Sequence, residues 1–374
     1  MKFGLFYQIQ VPKPWTEESE ARRIWEALDQ IAYAEEVGYD SVWFSEHHFR
    51  PEWSHNSAPD LTLAAVSQRT SRIRMGVGVV LAPIHHPLHT ASRMATLDIL
   101  SHGRVDVGIG RTGYPYQLTP YGSGLKDTRG MWEEYAQVLP KIWTEEVVSY
   151  EGQYFQIPPR EVLPKPLQKP HPPLWSACAS EETTRLTGEM GLGALVGSEG
   201  GPEKVAEVLE LYNKTVKAST HEGIHVNHQN ALMTAGYCHE SSKVVEERGT
   251  ELVAWYLNQQ RERARLVWRG VDPASVPPDY QGYYERDQHL AAGPHPGDPT
   301  PADVVRQGTK FCIGTPDDCI KFYEAYEAMG VEQVFLLCAI GPAANEEVMN
   351  TIRLFGKYVI PHFKEKEKAQ AAVV

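Results

Sequence analysis

An acidic residue and two histidines stand together in the run Trp43-Phe44-Ser45-Glu46-His47-His48-Phe49. An imidazole titrates close to neutral pH and a carboxylate can orient it, so the group suits general acid–base chemistry. Residues 41–44 before it are apolar and predict a β-strand. Because side chains on a strand alternate between its two sides, Glu46 and His48 are expected on one side and His47 on the other. This disfavours one metal ion bound by all three, and a purely structural Glu–His cluster is the alternative interpretation.

A cation and two hydroxyl groups further along the chain predict an anion-binding site. Arg111 follows the apolar run 105–109, and its guanidinium is a fixed, planar cation. Ser180 and Thr183 stand where a helix is predicted to begin, so hydroxyls and free backbone amides are available there for a phosphate. The alternative is that Ser180 and Thr183 form an ordinary helix cap.

Strand and helix patterns alternate along most of the chain and predict the elements that position these residues. Apolar runs predict strands at 2–7, 41–44, 73–81, 105–109, 174–178, 194–197, 232–238 and 334–338. Helical patterns follow between Thr16 and Gly38 and at 61–68, 89–100, 128–143, 180–188, 202–216, 242–257 and 346–358. Eight such units predict an α/β fold, a single TIM-type (β/α)8 barrel over residues 1–374 with insertions at its C-terminal face, where barrel enzymes place their catalytic residues.

Two segments depart from the alternation. Residues 150–173 are rich in proline and predict an extended surface connection. Residues 259–310 contain few apolar residues at any period, which predicts a lid or a disordered insertion within the barrel domain.

Charge and cysteine content exclude several classes of protein. The chain has 36 basic and 48 acidic residues and a formal net charge of -12, which disfavours binding to nucleic acid or to an anionic membrane. No stretch reaches the length of a membrane span, and the first residues lack the pattern of a signal peptide. Five cysteines with no paired spacing argue against a disulfide framework and indicate a reducing cytoplasm.

The motifs resemble those of the flavin-dependent monooxygenases related to bacterial luciferase. Residues 38–49, with Glu46-His47-His48-Phe49, are similar to a stretch of the luciferase α subunit, and Ser101-His102-Gly103-Arg104 with Gly108-Ile109-Gly110-Arg111 resembles its fourth strand. Residues 179–184 resemble its phosphate-binding turn, and 314–319 and 361–366 resemble its C-terminal part. The resemblance spans nearly the whole chain apart from 259–310.

This resemblance implies a two-component monooxygenase that uses O2 and reduced FMN supplied by a separate flavin reductase. His47 is implied as the general base or as a group that stabilises a flavin peroxide, and Glu46 as the residue that orients His47 or contacts the flavin. The other implied flavin contacts are Gly78, Val79, Gly110, Arg111, Tyr114, Ala179, Ser180, Thr183, Gly197 and Ser198, and the implied substrate pocket comprises Trp43, His48, His86 and Tyr116.

The resemblance further implies a cis peptide between Gly78 and Val79 and a homodimer formed through the helices at 61–66 and 94–100. Two positions depart from luciferase, which has a glutamate where this chain has Ala179 and a cysteine where it has Gly110. The glycines at 108–113 do not form the Gly-x-Gly-x-x-Gly pattern of a nicotinamide site.

Three alternatives stay open: a deazaflavin (F420)-dependent oxidoreductase with the same barrel, a flavin-binding protein without activity, and a metal-dependent barrel hydrolase. The substrate is equally open, since a lipophilic aldehyde, a ketone and an aromatic or natural-product intermediate all fit.

Overall fold

The apolar runs of the sequence form parallel strands that close into a barrel in the computed structural model, which describes residues 1–112, 114–221 and 225–371. The strands in chain order are β1 (Lys2–Tyr7), β2 (Ser41–Phe44), β3 (Arg74–Leu81), β4 (Val105–Gly110), β5 (Val147–Glu151), β6 (Gln156–Glu161), β7 (Leu174–Ala177), β8 (Gly193–Gly197), β9 (Asn230–Cys238), β10 (Cys312–Gly314) and β11 (Gln333–Leu337). The barrel order is β1-β2-β3-β4-β7-β8-β9-β11, and β11 pairs with β1 to close it. All eight predicted strands are confirmed, and the fold is the predicted TIM-type barrel.

Helices connect the strands and surround the barrel. They are α1 (Ser19–Glu36), α2 (Pro59–Ser67), α3 (Pro87–Leu100), α4 (Pro115–Leu118), α5 (Thr128–Thr144), α6 (Glu181–Glu189), α7 (Pro202–Ala218), α8 (Ser242–Val267), α9 (Gln281–Ala292), α10 (Pro301–Gln307), α11 (Pro316–Ala328), α12 (Asn345–Leu354) and α13 (Ile360–Ala371). Gly38, with φ of 101°, follows α1 as predicted, because glycine tolerates this left-handed conformation. Across the described ranges, every helix is too short or too polar to cross a bilayer.

Aromatic side chains fill the inside of the barrel. The Trp43 ring from β2 lies 5.5 Å from the ring of Trp175 and 4.7 Å from that of Phe335. The neighbouring strand leaves room for this ring only because residue 76 is glycine: a Cβ atom at Gly76 would lie 2.2 Å from Trp43 Cδ2. The packed interior supports the residues at the C-terminal ends of the strands from below.

The proline-rich connection differs from its prediction. Part of it pairs, because β5 and β6 form an antiparallel two-stranded hairpin. Pro158 and Pro159 lie in β6, and proline is tolerated there because an edge strand does not need every backbone N–H for pairing.

The segment 259–310 is not structureless, and this part of the prediction is wrong. Helix α8 continues to Val267, and α9 and α10 follow it. Four of its apolar residues, Val267, Trp268, Val276 and Tyr280, form a buried cluster of their own. The segment therefore has a small core of its own, although its sequence contains few apolar residues. Movement of the segment as a lid stays a prediction.

Candidate active site

A cavity of about 650 Å³ opens at the C-terminal ends of the barrel strands. This volume is in the range of small-molecule sites. Most of the predicted site residues line it: Trp43, Glu46, His47, Gly78, Val79, Gly110, Arg111, Tyr114, Ala179, Ser180, Thr183 and Gly197.

The two histidines that follow β2 point in different directions. His47 lines the cavity, and within the described ranges its Nδ1 atom has no hydrogen-bond partner. Glu46 Oε1 lies 2.8 Å from His48 Nε2 and 2.6 Å from His85 Nε2, and Oε2 accepts a bond from the backbone of Leu81. The predicted alternation is confirmed, but Glu46 does not orient His47, because its oxygens are occupied by His48 and His85.

Burial sets the protonation states of these groups. Burial, supported by the nearby charge of Arg50, holds the pKa of His47 well below its usual value, so its imidazole is neutral at pH 7. Burial alone would raise the pKa of Glu46, but the hydrogen bonds from His48 and His85 outweigh it and lower the pKa. The site therefore holds a neutral base facing the cavity and a charged carboxylate beside it.

The predicted anion site has an acidic partner that the sequence did not reveal. Arg111 Nη1 lies 2.6 Å from Asp279 Oδ2, and Arg129 Nη2 lies 3.1 Å from the same oxygen. Ser180 caps α6, since its Oγ accepts a bond from the backbone of Thr183 at 3.2 Å. Ser180 is thus both a helix cap and a cavity residue. Its role as a cap is therefore compatible with its predicted contact to a phosphate.

The peptide between Gly78 and Val79 is cis, as predicted. Its neighbour Gly110 has a steric role, because a Cβ atom added there would lie 2.3 Å from Val79 Cγ2. The strand therefore has no room for a side chain at position 110.

Four predicted contacts do not line the cavity. His48 turns towards Glu46 and Tyr121, and His86 caps α3 by accepting a bond from the backbone of Leu88. Tyr116 is exposed and packs edge-on against Phe49. Ser198 is buried, and its Oγ donates to the carbonyl of Lys310 at 2.6 Å. These side chains make other contacts, which the position of a residue after a strand does not reveal.

Several residues of the site were missed. Arg263, Tyr280, Tyr283 and Arg286 come from the segment 259–310 and line the cavity, and no local motif signals them. His85 joins Glu46 and His48 in a group whose candidate ligand atoms lie within 4.8 Å of one another, close enough for one metal ion. Only His85 had a local signal, its position in the loop that follows β3.

The cavity has the features that bound FMN requires. One side offers Arg111 and the hydroxyls of Ser180 and Thr183 to a phosphate. Apolar walls from Phe6, Leu195 and other residues suit a flat aromatic ring, and a Cβ atom at Gly197 would meet nothing within 4 Å, so backbone lies open to the cavity there.

The chain is similar to flavin-dependent oxygenases in sequence. The profile of the family described as luciferase-like monooxygenase matches residues 1–333. The oxygenase component of a flavin-dependent trigonelline monooxygenase from Acinetobacter baylyi is 24% identical over 378 residues, which cover 98% of this chain and 97% of that protein.

Two solved structures share the fold. The oxygenating constituent of 3,6-diketocamphane monooxygenase from Pseudomonas putida, a type II Baeyer–Villiger enzyme in complex with FMN, has a TM-score of 0.77 at 21% identity; the match covers 96% of this chain and 98% of that one. An F420-dependent secondary alcohol dehydrogenase has a TM-score of 0.70 at 19% identity, with the same coverage.

Proposed function

The chain belongs to the luciferase-like monooxygenase family, and from this premise we propose that it is the oxygenase component of a two-component, FMN-dependent monooxygenase. The observation that carries the proposal is that one cavity joins the anion site at Arg111 to the neutral imidazole of His47, whose Nδ1 atom has no partner among the described residues. Reduced FMN, when bound, supplies the two electrons with which one atom of O2 enters the substrate and the other leaves as water. The substrate is a small organic molecule with an apolar or aromatic body, because the cavity walls are largely apolar.

The residues of the chain bind the cofactor, exclude water, accept a proton and position the loops of the site. Arg111, Ser180 and Thr183 hold the phosphate, and the apolar walls exclude water from the reacting atoms. His47 accepts a proton from the substrate, because its lowered pKa leaves the ring nitrogen free at neutral pH. Glu46 fixes the loops after β2 and β3 through His48 and His85.

A separate reductase would supply the reduced FMN, by diffusion or in a transient complex. Two observations support this: the relative from Acinetobacter baylyi is an oxygenase component, and the sequence has no nicotinamide motif. A cytoplasmic location stays a prediction from the cysteine content.

Oxygen uptake tests the proposal directly. Purified protein with a flavin reductase, NADH and FMN is expected to give a new oxygenated product from a substrate panel, detected by mass spectrometry. The fold shared with an F420-dependent dehydrogenase favours one alternative, reduction of F420 by an alcohol without oxygen uptake. A protein that binds flavin with no turnover would be the inactive alternative, and a bound metal in elemental analysis would favour the hydrolase.

We propose that residues 259–310 act as a lid, because Tyr280, Tyr283 and Arg286 from this segment line the cavity. Trypsin is expected to cut the free protein after Arg269, which is exposed just beyond α8, and FMN should slow this cleavage. Arg261, Arg263 and Arg265 lie within α8 and are poorer sites. Cleavage after Arg72, an exposed residue in the bend before β3, serves as the internal control. Equal resistance with and without FMN would mean a permanently docked segment.

We propose a homodimer formed through α2 and α3, where Leu61 is 68% exposed and Ile99 and Leu100 are also exposed. Leu61→Glu should convert a dimer into a monomer of 42.0 kDa in light scattering at low micromolar concentration, because a charge would enter an apolar interface. Leu167→Glu, at a residue 52% exposed elsewhere, should leave the dimer intact. Leu97 is 2% exposed within its own chain and is unsuitable for this test. A monomeric wild-type protein would contradict the proposal.

A further inference from the structure

Several buried N–H groups beside His47 have no acceptor. In the part of the chain that the structure describes, Arg50 Nη2, Trp53 Nε1, Arg263 Nε and His47 Nδ1 are all buried without a hydrogen-bond partner. A buried donor without an acceptor is costly, and native proteins rarely leave one. Arg50 Nη2, Trp53 Nε1 and Arg263 Nε are fixed donors, whereas a neutral imidazole can also accept at Nδ1. Three unpartnered donors in one place point to an acceptor that is not part of the chain.

These four nitrogens belong to one cluster around Tyr114. The guanidinium carbon of Arg50 lies 4.8 Å from the Trp53 ring and 5.5 Å from the Tyr114 ring. That of Arg263 lies 5.2 Å from the Tyr114 ring, and Arg263 Nη1 donates to the Tyr114 hydroxyl at 2.7 Å. His47 is close enough that the charges of both arginines lower its pKa.

The cluster has more positive than negative charge. Arg50 is 6% exposed, and no carboxylate of the described residues pairs with it. Burial lowers the pKa of Arg50 to about 9, so it still carries its charge at neutral pH. Arg263 Nη2 lies 2.8 Å from Asp287 Oδ1, but Arg286 pairs with the same oxygen at 3.0 Å. The carboxylate of Asp287 thus pairs with two guanidinium groups, those of Arg263 and Arg286. The guanidinium of Arg50 has no carboxylate partner among the described residues.

A second acid beside the cluster, Glu199, already accepts two hydrogen bonds. Glu199 Oε1 accepts bonds from the hydroxyl of Tyr256 at 2.6 Å and from the amide of Gln260 at 3.0 Å. Glu199 also lines the cavity, and its charge acts on both Arg50 and Arg263. Asp287 and Glu199 are nevertheless two carboxylates against the three guanidinium groups of Arg50, Arg263 and Arg286. An anion from outside would therefore complete the cluster.

We propose that the substrate carries a carboxylate, which binds to Arg263 at the His47 end of the cavity with the charge of Arg50 in support. Arg263 lines the cavity together with Tyr114 and His47, whereas Arg50 lies outside the lining and strengthens the field. A guanidinium binds a carboxylate through a planar pair of donors, and the apolar walls accept the rest of the molecule. This inference rests on the proposed function, since it names the class of substrate that the oxygenase would take.

Matched acids and amides test the inference without turnover. Protein loaded with oxidised FMN is titrated calorimetrically with three pairs: benzoate and benzamide, cinnamate and cinnamamide, octanoate and octanamide. At least one acid should bind roughly ten- to hundredfold more tightly than its amide, the usual effect of a charge-assisted hydrogen bond. No preference in any pair would overturn the inference.

Three variants locate the effect. Arg263→Gln should abolish the preference for the acid and leave amide affinity unchanged, and Arg50→Gln should reduce the preference. Arg265→Gln removes the same charge from an exposed position of α8 and should change nothing. If Arg50→Gln fails to fold by circular dichroism, Arg263→Lys replaces it and should retain only part of the preference. A preference that survives Arg263→Gln would contradict the assignment.

Two further readouts separate this inference from the proposed function. FMN and riboflavin affinities of Arg263→Gln, measured by fluorescence, should both match the wild type. Selective loss of FMN affinity would mean that Arg263 binds the cofactor phosphate, and the inference would be wrong. A wild-type protein that prefers acids but neither binds FMN nor takes up oxygen would retain the carboxylate site and contradict the oxygenase.

Discussion

Replacing His47 with alanine is expected to lower turnover by roughly two to four orders of magnitude, the usual effect of losing a general acid or base. FMN affinity should change little, because Arg111 follows β4 and the hydroxyls of Ser180 and Thr183 are at the start of α6, away from the loop after β2. The loss should be chemical rather than structural, since among the described residues His47 Nδ1 bonds to nothing. Stopped-flow and steady-state product formation with saturating reduced FMN measure it.

The pH dependence provides a second signature of His47. Its folded-state pKa lies below 6.5, so the ring stays neutral, and the enzyme active, at pH values where an exposed histidine is already protonated. Activity should fall only below that range, and the fall should disappear from the residual activity of His47→Ala. The matched control is His89→Ala, an exposed histidine of α3 outside the cavity lining, which should leave the pH dependence unchanged. Wild-type turnover in His47→Ala would refute the assignment.

Replacing Arg111 with alanine is expected to weaken FMN binding by roughly ten- to hundredfold and riboflavin binding hardly at all. The lost bond belongs to the phosphate, which riboflavin lacks. The carboxylate of Asp279, held at 2.6 Å from Arg111, would keep only Arg129 as a partner and would repel the phosphate. Fluorescence titration with both ligands measures the difference.

The matched variant Asp279→Asn should act in the opposite direction. It keeps the shape of the side chain but frees Arg111 from a competing carboxylate, so FMN affinity should rise while riboflavin affinity stays constant. Equal weakening of both ligands by Arg111→Ala would place this arginine elsewhere than at the phosphate.

The barrel could be predicted because its signals are local. Each strand is a short apolar run such as 105–109, and the parallel arrangement follows from the alternation with helices. Helix α11 went unpredicted although Thr315 and Asp318 form a capping box at its start, a pattern that the sequence displays. The structure of 259–310 had no comparable signal, because bonds such as Trp268 Nε1 to Asp287 join residues that no periodicity relates.

Some residues of the candidate site could also be predicted from local signals, whereas their contacts could not. His47 and Arg111 could be found because a barrel brings the ends of its strands to one face. The partners of these residues could not: Asp279 is 168 residues from Arg111 along the chain. Glu46 is a third case, because the residue was predicted correctly but its contact to His47 was not. His85, which follows the next strand, binds the carboxylate of Glu46 instead.

The side chain of Val79 fills the space that a side chain at position 110 would occupy, so the sizes of the two residues depend on each other. A cysteine at 110 would place its Cβ 2.3 Å from a methyl group of Val79, so that exchange demands a smaller residue at 79 in the same protein. The free energies of unfolding for Gly110→Cys and Val79→Ala should therefore be strongly non-additive, with the second change rescuing the first. Position 110 can therefore gain a side chain only after residue 79 has become smaller, so the order of the two changes is fixed.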